Sequence, residues 1–302
     1  MKVPVAFFIF KRPETTRKVL DAIRQVKPEK IFVIADGARQ NQPGEAEKCV
    51  ETRSVIETID WDCEVFKDYS SVNLGCARRV SSGLDWVFGH VENAIILEDD
   101  CVPDLSFFEF CGDLLEKYKD DERVFSITGH NHLESWKSDM QSYHFSNYFD
   151  CWGWATWRRV WRKYDLDMAL WSKSEVKEHI RNVISDDKQF LNRSKPLDAT
   201  HRGEIDSWAY PFFFMCLLHE GLTITPATNL IKNIGFGENS TNTKNSKDGR
   251  ANISLKQAIF PLRSPDEIEV DRDYDYYRYK RVWEKSFKDK VSRKIKKIFA
   301  LK

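Results

Sequence analysis

Residues 94–104 read Ala-Ile-Ile-Leu-Glu-Asp-Asp-Cys-Val-Pro-Asp. The run Ile95-Ile96-Leu97 is short, apolar and largely β-branched, the pattern of a buried strand. It stops abruptly in Glu98, Asp99 and Asp100. A buried strand that ends in acids puts negative charge at its carboxyl end, the edge where open α/β sheets bind ligands. Neighbouring carboxylates repel one another and resist desolvation, so a cation is their natural partner. The feature therefore predicts a sheet with a ligand-binding edge and a divalent metal site on it. The plainer alternative is an acidic corner facing water.

The chain around this stretch alternates strand and helix. Val3–Phe10 is a β-rich run, and Glu14–Gln25 has helical spacing behind Pro13, a residue suited to a first helical position. Lys30–Ala35 reads as a strand ending at Asp36-Gly37, Ala46–Ile59 as a helix and Cys63–Asp68 as a strand. Cys76–Gly89 is a helix after the Asn73-Leu74-Gly75 turn, and Ala94–Leu97 is the fourth strand. This order implies βα units and a mainly parallel sheet flanked by helices.

Further on, Leu105–Tyr118 reads as a helix and Val124–Thr128 as a strand. His130–Tyr148 shows no clear period, and Cys151–Tyr164 is Trp-rich. Glu175–Ile184 and Asp186–Asn192 read as exposed helices, Trp208–Leu218 as an apolar helix, Leu222–Ile224 as a strand and Ile234–Asn245 as a loop.

With 302 residues the chain can bury a sizeable core. Its 47 basic and 47 acidic residues balance, which removes any global pull toward nucleic acid. The seven cysteines are odd in number and scattered, with no CxxC. That points to reduced thiols in a cytoplasmic protein and away from disulfides or a zinc site. Val3–Phe10 is too short for a secretory signal and runs into Lys11-Arg12-Pro13, and no stretch is long enough to span a bilayer. From Arg281 to Lys302, Trp283, Phe287, Val291, Ile295 and Ile298 recur at helical steps among Lys and Arg. Such a helix suits an anionic membrane surface; the alternative is a packed helix with a solvated basic face. The composition change sets residues 263–302 apart as a tail behind a domain of residues 1–262, whose two halves are residues 1–130 and 131–262.

Arg12, Asp36 and Glu98–Asp100 all follow predicted strands and so share one sheet edge. Asp36 can accept from a base N–H or a ribose hydroxyl, and Arg12 can neutralise a phosphate or pack on a base. Singly, Arg12 is a surface charge and Asp36 a turn former; together they describe a nucleotide pocket with a metal beneath it. The turn at Asn73, followed by Arg78 and Arg79, offers a helix N-terminus and two cations for phosphate. No Walker pattern is present.

The ordered set of strand–Arg-Pro, strand–Asp-Gly, Asn-Leu-Gly-x-x-x-Arg and Ile-Leu-Glu-Asp-Asp-x-x-x-Asp resembles the GT-A nucleotide-sugar glycosyltransferases. The Glu-Asp-Asp triplet with Pro103-Asp104 and Phe107-Phe108 is similar to the N-acetylglucosaminyltransferase I type within them. The likeness is good over residues 3–130 and looser to about 245. It implies a GT-A sheet in which Arg12 and Asp36 contact uridine. Asn73, Arg78 and Arg79 would support the nucleotide, and Glu98 and Asp99 the ribose and sugar. Asp100 would coordinate Mn²⁺ (or Mg²⁺) bridging the diphosphate. Gly203–Trp208 resembles the family's acidic-residue–Trp segment, making Asp206 the candidate base and Glu204 the second; Asp206 also suits the N-cap of the apolar helix behind it. Trp152, Gly153, Trp154 and His130 would border the sugar and acceptor. Gly235–Thr243 resembles the loop that orders over the donor. Where many GT-A proteins place a metal-binding His, this chain has Asn242.

The resemblance implies an inverting, metal-dependent transfer of a hexose or N-acetylhexosamine from a UDP-sugar to a glycan or lipid-linked glycan hydroxyl. A surface-polysaccharide role would fit the basic tail. A sugar-nucleotide pyrophosphorylase would want a Gly-rich N-terminal loop ending in Lys, and Phe8-Ile9-Phe10-Lys11-Arg12 is not that. A non-catalytic nucleotide-sugar-binding or scaffold protein is the remaining alternative.

Overall fold

Val5–Ile9 and Ile31–Ala35 are unbroken apolar runs buried along their whole length, as interior strands of a parallel sheet must be. The computed structural model describes residues 1–236 and 253–283. Its first half runs β1 (Val5–Ile9), α1 (Pro13–Val26), β2 (Lys30–Ala35), α2 (Glu45–Ile56), β3 (Glu64–Tyr69), α3 (Cys76–His90) and β4 (Asn93–Glu98). The chain continues with β5 (Cys101–Pro103), α4 (Ser106–Lys117), β6 (Val124–Thr128), β7 (Tyr143–Ser146), β8 (Trp154–Trp157) and α5 (Arg158–Trp161). Last come α6 (Ser174–Ile184), α7 (Asp187–His201), α8 (Ala209–Leu218), β9 (Leu222–Pro226), β10 (Ile231–Asn233) and α9 (Arg272–Trp283).

Eight strands form one sheet in the order β3-β2-β1-β4-β8-β6-β9-β7, and β5 pairs with β10 in a small ribbon. The neighbours β3, β2, β1 and β4 are parallel, and β8 runs antiparallel between β4 and β6. The expected α/β class and mainly parallel mixed sheet are thus observed. Strand order grows leftward from β1 through β2 to β3, then α3 carries the chain back to β4 on the other side of β1. That reversal is a topological switch point, where such sheets open a crevice at their carboxyl ends. The register pairs Ile9 with Ala35 and Phe8 with Glu98, so the residues that follow these strands emerge side by side.

Local sequence explains the helices that flank this edge. α1 begins with Pro13 and Glu14, buries Thr16, Val19, Leu20 and Ile23 on one face, and ends at Lys27 in left-handed backbone. Each of the larger side chains contributes roughly 1.5–3 kcal/mol by leaving water. α3 starts after Gly75, whose φ of +81° suits glycine.

The second half departs from expectation where strands lie in the aromatic stretches. Trp154–Trp157 is β8, buried on both faces because Trp154 packs on Phe212 of α8 while Trp157 Nε1 donates to the Leu115 carbonyl of α4. Tyr143–Ser146 is an edge strand that is nevertheless buried, because α9 covers it. There Asp275 accepts from Ser146 Oγ and from the Asn147 N–H at 3.1 Å, and Tyr274 packs over His144. The helix at the foot of α6 is also longer than its sequence suggests, reaching His201 through Pro196. No helix among the described residues is long and apolar enough to cross a membrane. Residues 284–302, most of the basic amphipathic segment, lie outside the described residues.

Candidate functional site

At the switch point, the chain leaves β1 through Phe10-Lys11 and presents Arg12 to the acids that follow β4. The Arg12 Nη2 pairs with Asp99 Oδ1, and its Nη1 donates to Asp100 Oδ2 at 2.8 Å. Asp99 also accepts from the Phe10 N–H at 3.2 Å, which ties the two strand ends together. Glu98 is partly buried beside them and accepts from the Trp208 side chain. One guanidinium therefore faces three carboxylates.

The electrostatics record the crowding. Burial, reinforced by the charge of Asp100, pushes the Glu98 carboxyl up to about 8 against the pull of Arg12. Burial likewise raises Asp99 to about 6, although its contact with Arg12 opposes the rise. Burial alone would lower Arg12, but the charges of Asp99 and Asp100 outweigh it and hold the guanidinium above its ordinary value. Two acids that are hard to ionise together leave negative charge here that a further cation would relieve.

The β5–β10 ribbon and the segment after it close over this cluster. Among the described residues, Asp100 Oδ1 accepts only from the weak Cys101 Sγ donor at 3.4 Å and from Asn233 Nδ2 at a long 3.5 Å. The Asp100 carbonyl accepts from the Ile234 N–H at 2.8 Å. A Cβ at Gly235 would collide with Asp100 Oδ2 and lie 2.9 Å from Arg12 Nη1, so glycine alone lets the backbone pass here.

The other residues expected at the site have different surroundings. Asp36 follows β2 on the same edge, but its carboxylate is filled by protein donors. Oδ1 accepts from the N–H groups of Gly37 and Leu74 at 2.9 Å each, and Oδ2 from Asn73 Nδ2 at 2.9 Å and Gly75 N–H at 3.1 Å. Asp36 and Asn73 therefore build the turn before α3. Arg79 is buried and donates to the carbonyls of Ala35 and Asp68, bracing the ends of β2 and β3. Arg78 is exposed on the next position of α3.

Asp206 caps a helix, but not the one that follows it. Its two oxygens accept from the N–H groups of Cys76 at 2.8 Å and Ala77 at 2.9 Å, closing the first turn of α3. A Cβ at Gly75 would come within 2.8 Å of Asp206 Oδ2. This contact ties the segment before α8 to the start of α3 and sets Trp208 against Glu98. Glu204 is exposed and paired with Arg202 at 2.6 Å.

Trp154, expected beside a sugar, is fully buried and stacks on Trp208 with centroids 5.2 Å apart, because it is a core position of β8. Gly153 makes its close approach to Ile231 and Leu97 side chains. Trp152 lies nearer the edge, with Phe236 at 5.6 Å and His130 at 4.7 Å between ring centroids. Asn242 lies outside the described residues.

A second cluster stands beside the first on the same sheet edge. β8 runs opposite to β6, so the exit of β6 meets the entry of β8, and His130 and His132 come together with Asp150. Their ligand atoms all lie within 4.8 Å of one another, and the group can hold a metal ion. His132 Nε2 pairs with Asp150 Oδ2, to which Arg278 of α9 donates at 3.3 Å. Burial lowers His130 to about 3, helped by the neighbouring His132. Burial would raise Asp150, but His132, His130 and Arg278 hold it well below the usual carboxylate range. Spacing rules miss this cluster, since a His-x-His pair and an Asp from a distant loop form no contiguous zinc motif. The one legible signal was His130-Asn131-His132 itself.

No protein-family model matches the chain, and no curated protein is similar to it. Among solved structures it is similar to S. aureus TarS 1–349, at 6% identity and a TM-score of 0.46, over 76% of this chain and 59% of that one. The chain thus spans less than two-thirds of that fragment. A UDP-glucose pyrophosphorylase complexed with UDP-glucose is similar at 8% identity and a TM-score of 0.33, over 56% of this chain and 80% of that one. A 4-diphosphocytidyl-2C-methyl-D-erythritol synthase from Anaerococcus prevotii follows at 13% identity and a TM-score of 0.35, over 63% and 83% of the two chains. Likenesses this distant carry no weight for chemistry, which rests on the geometry of the two clusters.

Proposed function

We propose that this protein is a cation-dependent glycosyltransferase. It moves a hexose or N-acetylhexosamine from a UDP-sugar to a hydroxyl of a glycan or lipid-linked glycan, as in surface polysaccharide assembly. The observation that carries this reading is the single Arg12 guanidinium shared by Asp99 and Asp100, with Glu98 beside them, at the switch point between β1 and β4. Ligands of open α/β sheets bind in that crevice. The donor set is all oxygen and short of positive charge, which suits Mn²⁺ or Mg²⁺.

Each residue has a part in this reading. Asp100 would hold the ion, because among the described residues its Oδ1 meets only a weak thiol donor and one distant amide. A bound divalent ion stabilises the charge that develops on the departing diphosphate. Arg12 positions both aspartates and adds a cation on the nucleotide side. Glu98 and Trp208 form the wall facing the acceptor half, residues 131–262. Asp206 is a positioning residue that locks that wall to α3, and Asp36 shapes the turn on which α3 begins. Inversion at the anomeric carbon is the stereochemical course that the family resemblance implies. The absence of a Gly-rich turn between β1 and α1 speaks against a pyrophosphorylase.

The test is UDP release from a panel of UDP-sugars, with and without EDTA, followed by addition of Mn²⁺. The expected result is slow hydrolysis of at least one donor that EDTA abolishes and Mn²⁺ restores. Absence of cation-dependent UDP release from every donor would overturn the proposal.

A further inference from the structure

The cluster at His130, His132 and Asp150 has no part in the proposed transfer. We infer that it is a second metal site, specific for an imidazole-preferring transition ion of the Zn²⁺ class and distinct from the hard-cation site at Asp100.

Three observations converge. First, the loop is built to hold the two histidines on one side. Asn131 between them is bonded at its backbone and at both ends of its side chain. Its N–H donates to Asn229 Oδ1 at 3.0 Å, its Nδ2 to the Pro226 carbonyl at 2.8 Å, and its Oδ1 accepts from the Leu133 N–H at 2.8 Å. The two imidazoles meet edge to face with centroids 4.4 Å apart. Second, His130 is only 2% exposed, and no well-formed hydrogen bond to the described residues reaches either ring nitrogen, the Ile231 backbone being the one polar group at hand. A buried polar group left unpaired costs about 1–3 kcal/mol, and an ion supplies the missing partner. Third, Asp150 is oriented from outside the cluster. Its Oδ1 accepts from the Trp152 N–H at 3.3 Å, and Arg278 donates to Oδ2 at 3.3 Å and to the Phe149 carbonyl at 3.2 Å. Outer hydrogen bonds of this kind fix a ligating carboxylate.

Two imidazoles and one carboxylate favour Zn²⁺, Co²⁺ or Ni²⁺ over Mg²⁺ or Ca²⁺. The ligand atoms span at most 4.8 Å, so small side-chain rotations bring them to the usual metal–ligand distances of about 2.0–2.2 Å. His132 would exchange its contact with Asp150 for a shared ion. The ion would then tie the exit of β6, the entry of β8 and, through Arg278, α9 into one unit behind Trp152.

The test does not depend on the transferase reading. The full chain, stripped of metal, is titrated with Co²⁺ and followed by visible absorption. The expected result is a d–d spectrum saturating at one equivalent, displaced by Zn²⁺ and untouched by excess Mg²⁺. Asp100→Asn retains that spectrum, whereas His130→Phe weakens Co²⁺ binding by at least about tenfold. Asp150→Asn serves as the second variant if His130→Phe fails to fold. In parallel, Zn²⁺ raises the melting temperature of the unaltered protein, because the ion binds the folded chain. The site is refuted if no d–d spectrum appears, if it survives in both His130→Phe and Asp150→Asn, or if Asp100→Asn abolishes it.

Discussion

Asp36 and Asp100 occupy similar places, each just past the carboxyl end of a parallel strand on one sheet edge, yet their surroundings are opposite. Asp36 is saturated by four protein donors, three of them backbone N–H groups. Among the described residues, Asp100 has one strong partner, Arg12, which it shares with Asp99. A carboxylate that the backbone has filled serves the fold, and one left short of donors is available to a ligand. Residue type and topological position are the same in both cases; the supply of nearby N–H groups decides between the roles.

Removing the charge at Asp100 is expected to have the largest effect. Asp100→Asn keeps the shape but takes away the ligand for the cation, and Arg12 keeps its contact with Asp99. Cation-dependent UDP release should fall about 10²–10³-fold, and the Mn²⁺ concentration for half-maximal activity should rise. The urea midpoint should stay level or rise, since one of three crowded acids has been relieved. A variant that loses stability while keeping its Mn²⁺ response would erase the distinction from Asp36.

Asp36→Ala is the reciprocal experiment. It strands the N–H groups of Gly37, Leu74 and Gly75 and the Asn73 amide. The expected loss is roughly 3–5 kcal/mol in urea unfolding. Donor affinity measured on the folded fraction should change little. An unchanged midpoint with a large rise in KM for the donor would make Asp36 a uridine contact after all.

This contrast also shows what could be read from the sequence. The strand that ends in Glu98-Asp99-Asp100, the preceding βα units and the shared edge of Arg12 and the acids were all legible. They depend on hydrophobic runs and on chain order. The fate of Asp36 was not legible, because it rests on the path of a turn nearly forty residues away. β8 was hidden because a strand buried on both faces, Trp-Ala-Thr-Trp, shows no alternation. Trp154 consequently resembled a sugar platform while being core. Asp206 was expected either to cap its own helix or to act as a base. It caps α3, 130 residues earlier in the chain, rather than its own helix, a pairing no local pattern encodes. His130 was expected beside the sugar, but its meeting with His132 and Asp150 was overlooked for the same reason.

Asp206 gives a smaller, two-sided effect. Asp206→Asn keeps one acceptor for the α3 N–H groups but removes the charge that complements the helix end. The expected cost is about 1 kcal/mol in thermal or urea unfolding, with turnover reduced less than about tenfold through looser placement of Trp208 against Glu98. A general base contributes about 10²–10⁴-fold. A loss of that size with unchanged stability, and with the acidic limb gone from the pH–rate profile, would return Asp206 to the chemistry.

The smallest effect tests why Arg12 stands alone among the acids. Its neighbour Lys11 is drawn away to Glu45 at 2.6 Å, and Glu45 also binds Arg39 through Nε at 2.9 Å. The hydrogen bond from Arg39, aided by Lys11 and opposed by burial, lowers Glu45 to about 2. A carboxylate whose folded value lies below its unfolded value stabilises the protein above the unfolded value, near 4.5, and that contribution fades as pH falls toward 2. Arg39 is 45% exposed, so solvent screening limits the gain to roughly 1–2 kcal/mol. Glu45→Gln should therefore lower the urea midpoint by a constant amount between pH 7 and about 5. The gap from the unaltered protein should close on further acidification and narrow in high salt.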